Sequence, residues 1–303
     1  MTETTPTTEK RPSWLLRWLG LFGLIGLLIG VNLLYQPAAN WNTAQNGEPG
    51  ELLYAAGFDG FTDEWTQYEG RRSAQITEGV MRMSLDAPDV IYSAAEPTFT
   101  DFDLHVTVRS VEGAETNDGY GVIFRLSEQS DSATCARQFV IVCNLEQIPL
   151  LDTAIGLAAP SPQPQPEGYY VFLISNDGFY QLLRGNTETN QVEPVTVWHD
   201  SQGMLNTGIG AENSIRVVGE GNQFQFFLNG ESALLCIPNE GEQPTGNSLD
   251  CLGEETFVWE DDAYASGQLG VILNGATQAG DVVEFDNFSV IFPREITIEG
   301  NNA

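Results

Sequence analysis

The residues able to do chemistry are few in kind. Forty-two Asp and Glu face twelve Lys and Arg, with two histidines, His105 and His199, and four cysteines, Cys135, Cys143, Cys236 and Cys251. Where carboxylates are this abundant, neighbouring acids arise by chance, so spacing alone selects no general acid/base pair. Lys10 is the only lysine; the remainder of the chain therefore has no amine for a Schiff base or an isopeptide crosslink. Zinc is disfavoured, because the cysteines lack paired C-x-x-C spacing and only two histidines are on hand. An even cysteine count in an exported chain argues for two disulfides instead. Of the three possible connectivities, proximity favours Cys135 with Cys143 and Cys236 with Cys251.

A formal net charge of -30 opposes any passive electrostatic grip on nucleic acid or on anionic lipid, since phosphates are repelled over most of such a surface. One segment has a membrane pattern: "WLGLFGLIGLLIGVNLLY", Trp18 to Tyr35, which as a helix spans roughly 27 Å, close to a hydrocarbon core. Lys10, Arg11 and Arg17 precede it and acidic sequence follows, which puts the N-terminus in the cytoplasm and the bulk outside. A cleaved signal peptide with its cut near "QPAAN" is the competing reading, although the apolar run is long and Pro37 sits badly for a small-residue cleavage motif. The expected organisation is a cytoplasmic stub over 1–17, a transmembrane signal anchor over 18–35, a tether over 36–51, one folded domain over 52–292 and a tail over 293–303.

Those residues need a scaffold, and the scaffold reads as β-structure. "FDLHVTVRSV" alternates Phe102, Leu104, Val106 and Val108 with Asp103, His105, Thr107 and Arg109, the period-two pattern of a strand with one wet side. "QFQFFLNGE" turns at Asn229-Gly230, where both residues tolerate positive φ. "YYVFLISNDGFYQLLRG" predicts a hairpin over Asn176-Asp177-Gly178, its first strand apolar on both faces and therefore central. In "DVVEFDNFSVIF" the apolar parity flips between Phe285 and Phe288, and a bulge at Asp286-Asn287 restores one inward face. The prolines of "AAPSPQPQPEG" exclude a central strand, so 127–167 is expected as an excursion between two core strands. Many short strands without intervening helices define an all-β, antiparallel two-sheet sandwich behind a single N-terminal transmembrane helix.

"FDGFTDEW", "GYGVIFR", the "YYVFLISNDGFYQLLR" hairpin, "AENSIRVVGEGNQFQFFLNG" and "VEFDNFSVIF" together resemble the concanavalin A-like jelly rolls of bacterial surface proteins, among them domains described as 3-keto-disaccharide hydrolase-like or laminin G-like. The resemblance covers Leu52 to Phe292. It implies two curved sheets, the concave one often forming a carbohydrate groove. Glucanases of that superfamily carry a Glu-x-Asp-x-x-Glu strand; here "VWEDDAY" offers Glu260, Asp261 and Asp262 in succession, which places adjacent carboxylates on opposite faces.

On that basis Arg125, Tyr180, Arg184 and Trp198 are the expected ligand-binding set, rings stacking on sugars and guanidinium groups donating to hydroxyls. The bland alternative has Arg125 paired with a buried carboxylate and Trp198 packed beneath a loop. Resemblance to calcium-binding jelly rolls adds a metal expectation: Asp286 with an acid such as Asp59 or Asp63, a site that EDTA would reveal as a lowered melting temperature. No other cofactor is expected. The functional readings are a membrane-held module binding carbohydrate or a surface polymer, an extracytoplasmic glycosidase, and a structural envelope domain.

Overall fold

The computed structural model describes residues 44–59, 64–113, 119–127, 167–189, 191–239, 251, 253–275 and 279–294. The expected stub and anchor, Cys135 and Cys143, Asp63 and the Pro-rich excursion lie outside them. The chain divides into two units, Met1–Thr43 and Ala44–Ala303, and the described residues all belong to the second. Among them no helix is long and apolar enough to cross a membrane.

Two sheets carry the fold. The nine-stranded sheet runs β13 (Glu231–Ser232), β12 (Gln223–Leu228), β11 (Glu212–Glu220), β5 (Phe102–Glu112), β18 (Asp281–Ile291), β3 (Val80–Leu85) and β2 (Arg72–Thr77), with β1 (Leu52–Ala56) also on β18 and β16 (Trp259–Glu260) on β12. The seven-stranded sheet runs β10 (His199–Asp200), β8 (Phe179–Asn186), β7 (Gly168–Ile174), β6 (Gly119–Ser127), β17 (Gly267–Gly275) and β4 (Asp89–Phe99), with β9 (Gln191–Pro194) on β8. A ribbon of β14 (Leu235–Ile237) and β15 (Glu254–Thr256) completes the set.

The chain passes from one sheet to the other between β3 and β4, β4 and β5, β5 and β6, β10 and β11, β16 and β17, and β17 and β18, and the paired strands are antiparallel. This is jelly-roll connectivity. The two closing strands insert between earlier ones: β17 between β4 and β6, β18 between β3 and β5.

Alternation explains why the layers pack. On β5, Phe102, Leu104, Val106 and Val108 are buried, as the period-two reading requires. They meet inward residues of β6 and β7, and the aromatics interlock across the gap: Phe172 stacks on Phe226 at 4.6 Å, and Phe124 lies 5.5 Å from Phe224. Each such ring contributes about 1.5–3 kcal/mol of burial.

The expected turns are present. Asn229 and Gly230 adopt φ of 50° and 87°, and the Gly178 amide closes the β7–β8 hairpin on the Ser175 carbonyl at 3.1 Å. At Asp286 the register slips before Ser289 and Asn287 takes φ 53°, so Phe285 and Phe288 both point inward. The sandwich engages the chain ahead of Leu52, since the Gln45 amide donates to the Thr98 carbonyl at 2.7 Å and the Gly50 amide to Phe292 at 2.8 Å.

Candidate functional site

The four residues expected to share a ligand-binding face do not share one. Tyr180 is 1 % exposed between the sheets, its hydroxyl donating to the Leu234 carbonyl at 2.6 Å and its ring edge-on to His199. Arg125 is fully buried in the same layer. Trp198 lies on the opposite side of the seven-stranded sheet, half-buried. Arg184 alone of the four is both inward by parity and open to solvent. It sits directly across from Tyr170 in the β7–β8 register, so the two share a face, and it stands near the strand end, where 40 % of its side chain is exposed.

Around Arg184 a compact polar cluster forms. Its Nη1 donates to Asp261 Oδ2 at 3.0 Å and its Nη2 to Glu193 Oε2 at 3.4 Å, the latter from the neighbouring position on β9. Asp261 Oδ1 also accepts from the Tyr170 hydroxyl and from the Ala263 amide at 2.9 Å. The Tyr170 oxygen in turn accepts from the Tyr264 amide at 3.2 Å, and the Tyr264 hydroxyl donates to the Gly185 carbonyl at 2.7 Å.

Two bare backbone positions make room for rings. A Cβ at Gly185 would come within 2.2 Å of the Tyr169 ring, and one at Gly168 within 2.1 Å of the Tyr264 ring. Glycine at both positions lets aromatic faces lie on the strand backbone itself.

Electrostatics fix the protonation states. Burial pushes the Tyr170 phenol well above its ordinary value and the Asp261 carboxylate adds to the shift; burial likewise raises Tyr169. Burial works against the Arg184 cation, but Asp261 and Glu193 outweigh it and the net shift is upward. The edge therefore presents a permanent cation between two acidic side chains, with neutral phenols beside it. Such alternating donors and acceptors, next to a flat ring, match the hydroxyl pattern of a polyol.

Sequence reasoning reached Arg184 but missed Tyr169, Tyr170, Glu193 and Tyr264, and it weighed Asp261 only against a catalytic motif. The adjacent tyrosines were a usable signal: successive strand residues point to opposite faces, so a Tyr-Tyr pair at a strand end brackets its neighbours from both sides.

The other face of the seven-stranded sheet is apolar. Ala94, Ile123, Leu126, Val171, Leu173 and Ile272 are excluded from solvent, and Tyr92, Tyr169, Leu183 and Trp198 pack around them. The Trp198 ring reaches to 3.0 Å from where a Cβ would stand at Gly119. This dry centre differs from an open groove with exposed aromatics.

Asp286 Oδ1 accepts from the Asn287 amide at 2.6 Å beside the bulge, and Asp59 lies against the Gly79 turn. Among the described residues no group of three or more His, Cys, Asp or Glu is arranged to hold a metal. Of the expected disulfides, Cys236–Cys251 is formed, with Cα atoms 5.5 Å apart.

No family model matches the chain, and no curated protein matches it. Solved structures with a similar layout include the carbohydrate-binding module CBM66 of Bacillus subtilis, 11% identical over 75% of this chain and 95% of that one, with a TM-score of 0.43. A Bacillus subtilis protein of unknown function with a galectin-like fold is 11% identical over 82% and 99%, TM-score 0.45. The β-glucanase of Bacillus licheniformis is 9% identical over 82% and 100%, TM-score 0.43. The layout and the chemistry of the site rest on this chain's own residues.

Proposed function

We propose that this chain is an exported recognition module, held at a membrane by its N-terminal apolar segment, which binds carbohydrate or a related surface polymer without cleaving it. The contact edge in this reading consists of Arg184, Glu193 and Asp261, with the buried Tyr264 beside them. One observation carries it: a half-exposed guanidinium fixed between two carboxylates, 3.0 and 3.4 Å away, beside the Tyr264 ring, which lies over the bare backbone of Gly168. A rigid cation of this kind donates to hydroxyls at little entropic cost. The net charge of -30 favours a neutral polymer over a polyanion, and the Cys236–Cys251 bridge suits an oxidising compartment outside the cytosol.

Glycan-array binding followed by calorimetric titration tests the reading. Arg184→Ala and Glu193→Ala should each weaken binding at least tenfold while the domain still melts cooperatively. A wild-type chain that binds no glycan, or variants that bind as well as wild type, would remove it. Membrane attachment has its own check: the full chain should pellet with membranes and resist alkaline carbonate extraction, and recovery in the soluble fraction would remove the anchor.

A further inference from the structure

Arg125 is a buried cation with no carboxylate partner among the described residues, and its place in the fold is unusual. Phe124 faces the core, so strict alternation would send residue 125 to the opposite side of the sheet. Instead the register of β6 with β7 slips between Phe124 and Ser127, and Arg125 takes φ 55°. A bulge with a left-handed residue re-aims a side chain, here into the layer between the sheets. The guanidinium carbon comes to rest 5.8 Å from the Phe102 ring and 5.3 Å from that of Phe224.

Its donors go to backbone carbonyls. Nη1 donates to Tyr264 at 3.0 Å and to Ala265, Nη2 donates to Gly221 at 2.8 Å, and Nε is buried without a partner. Burial pushes the guanidinium pKa down to about 10, offset in part by the charge of Asp101. A methionine or leucine would fill this volume without taking a charge out of water. What the guanidinium adds is a fixed link between the turn at Gly221 and the strap over residues 261–266.

That strap holds Asp261 and Tyr264. We propose that Arg125 is the positioning residue of the binding edge: by gripping the Tyr264 and Ala265 carbonyls from inside the sandwich, it holds Asp261 against Arg184 and the Tyr264 ring against Gly168. Ligand never touches it. The inference rests on the reading of that edge as the binding site, and it adds a residue that acts only through the strap.

Hydrogen exchange on the full chain separates this role from general stability. In Arg125→Met the amides of Ala263 and Tyr264 should exchange at least tenfold faster while those of β5, β11 and β18 stay protected. Leu85→Ala, a core truncation beside Gly275 at the far end of β17, should lower the melting temperature and leave the strap protected. Arg125→Lys, which keeps the charge and the stem, should give an intermediate exchange rate, and it carries the test if Arg125→Met does not fold. Glycan affinity should fall about tenfold in the variant whose strap is released. Unchanged strap exchange in both Arg125 variants, equal acceleration in Leu85→Ala, or full glycan affinity with a released strap would each overturn the proposal. A wild-type chain that binds no glycan would instead overturn the edge as a binding site, with the strap exchange still deciding what Arg125 holds.

Discussion

Tyr120, Tyr170 and Tyr180 illustrate what burial does to a titratable side chain. All three lie within the sandwich with phenols pushed above their ordinary value, chiefly by desolvation. The unfolded chain loses these protons near pH 10 and the folded chain keeps them, so the folded state binds more protons above that pH. Their contribution is complete below pH 10 and is lost as pH rises further, by about 1.4 kcal/mol per pH unit for each group. Arg125 acts in the opposite sense, because its folded pKa is lowered to about 10. The phenols of Tyr54, Tyr169 and Tyr264 are raised as well and act in the same sense as the first three, so stability should fall steeply above pH 10. Tyr180→Phe tests the assignment. It removes one hydrogen bond to Leu234, costing about 1 kcal/mol at neutral pH, and chemical denaturation between pH 9 and 11 should show a shallower decline than in wild type. An unchanged slope would mean that Tyr180 titrates freely.

Among the elements, the β14–β15 ribbon depends most on a covalent link. It pairs only three residues on each strand, and Cys236 within it is bridged to Cys251, 15 residues further on. Closing a loop of that length stabilises the fold by about 3 kcal/mol in the chain-entropy account. Cys236→Ser with Cys251→Ser should therefore lower the unfolding free energy by about that amount, measured in guanidinium. A loss near zero would indicate that the ribbon's own pairing and its packing suffice. The near-neighbour pairing was legible because short loops close most readily. The Asp286-Asn287 bulge was legible for a different reason: an apolar parity that flips within one strand can bury both halves only by inserting a residue.

For the whole molecule, the interlocked topology is what makes the sandwich one cooperative unit. Since β17 and β18 each insert between strands from the first half of the domain, neither sheet is continuous until the chain is nearly finished. Loop-closure entropy must be met before these long-range pairings form, and folding should be slow. A chain ending after Gly280 lacks β18, which joins β5 to β3 and carries β1. It should show no cooperative thermal transition and should expose the row of Phe285, Phe288 and Val290 partners to a hydrophobic dye. A sharp transition in that truncated chain would refute the interlock.

The sequence alone determined the class of fold, most strand faces, three turns or bulges and one disulfide. Each of these is set by local periodicity or by the conformational preference of a few adjacent residues. The site was another matter. Arg184 and Asp261 are 77 residues apart and meet only because β7, β8 and the strap converge at one end of the sandwich. Tyr180, on the same strand parity as Arg184, is sealed inside because the second sheet still covers it, and a bulge turns Arg125 from the outer face into the core. Parity assigns a side to a residue; whether that side is roofed, open or inverted depends on the partner layer and on register slips, which leave little trace in a single strand.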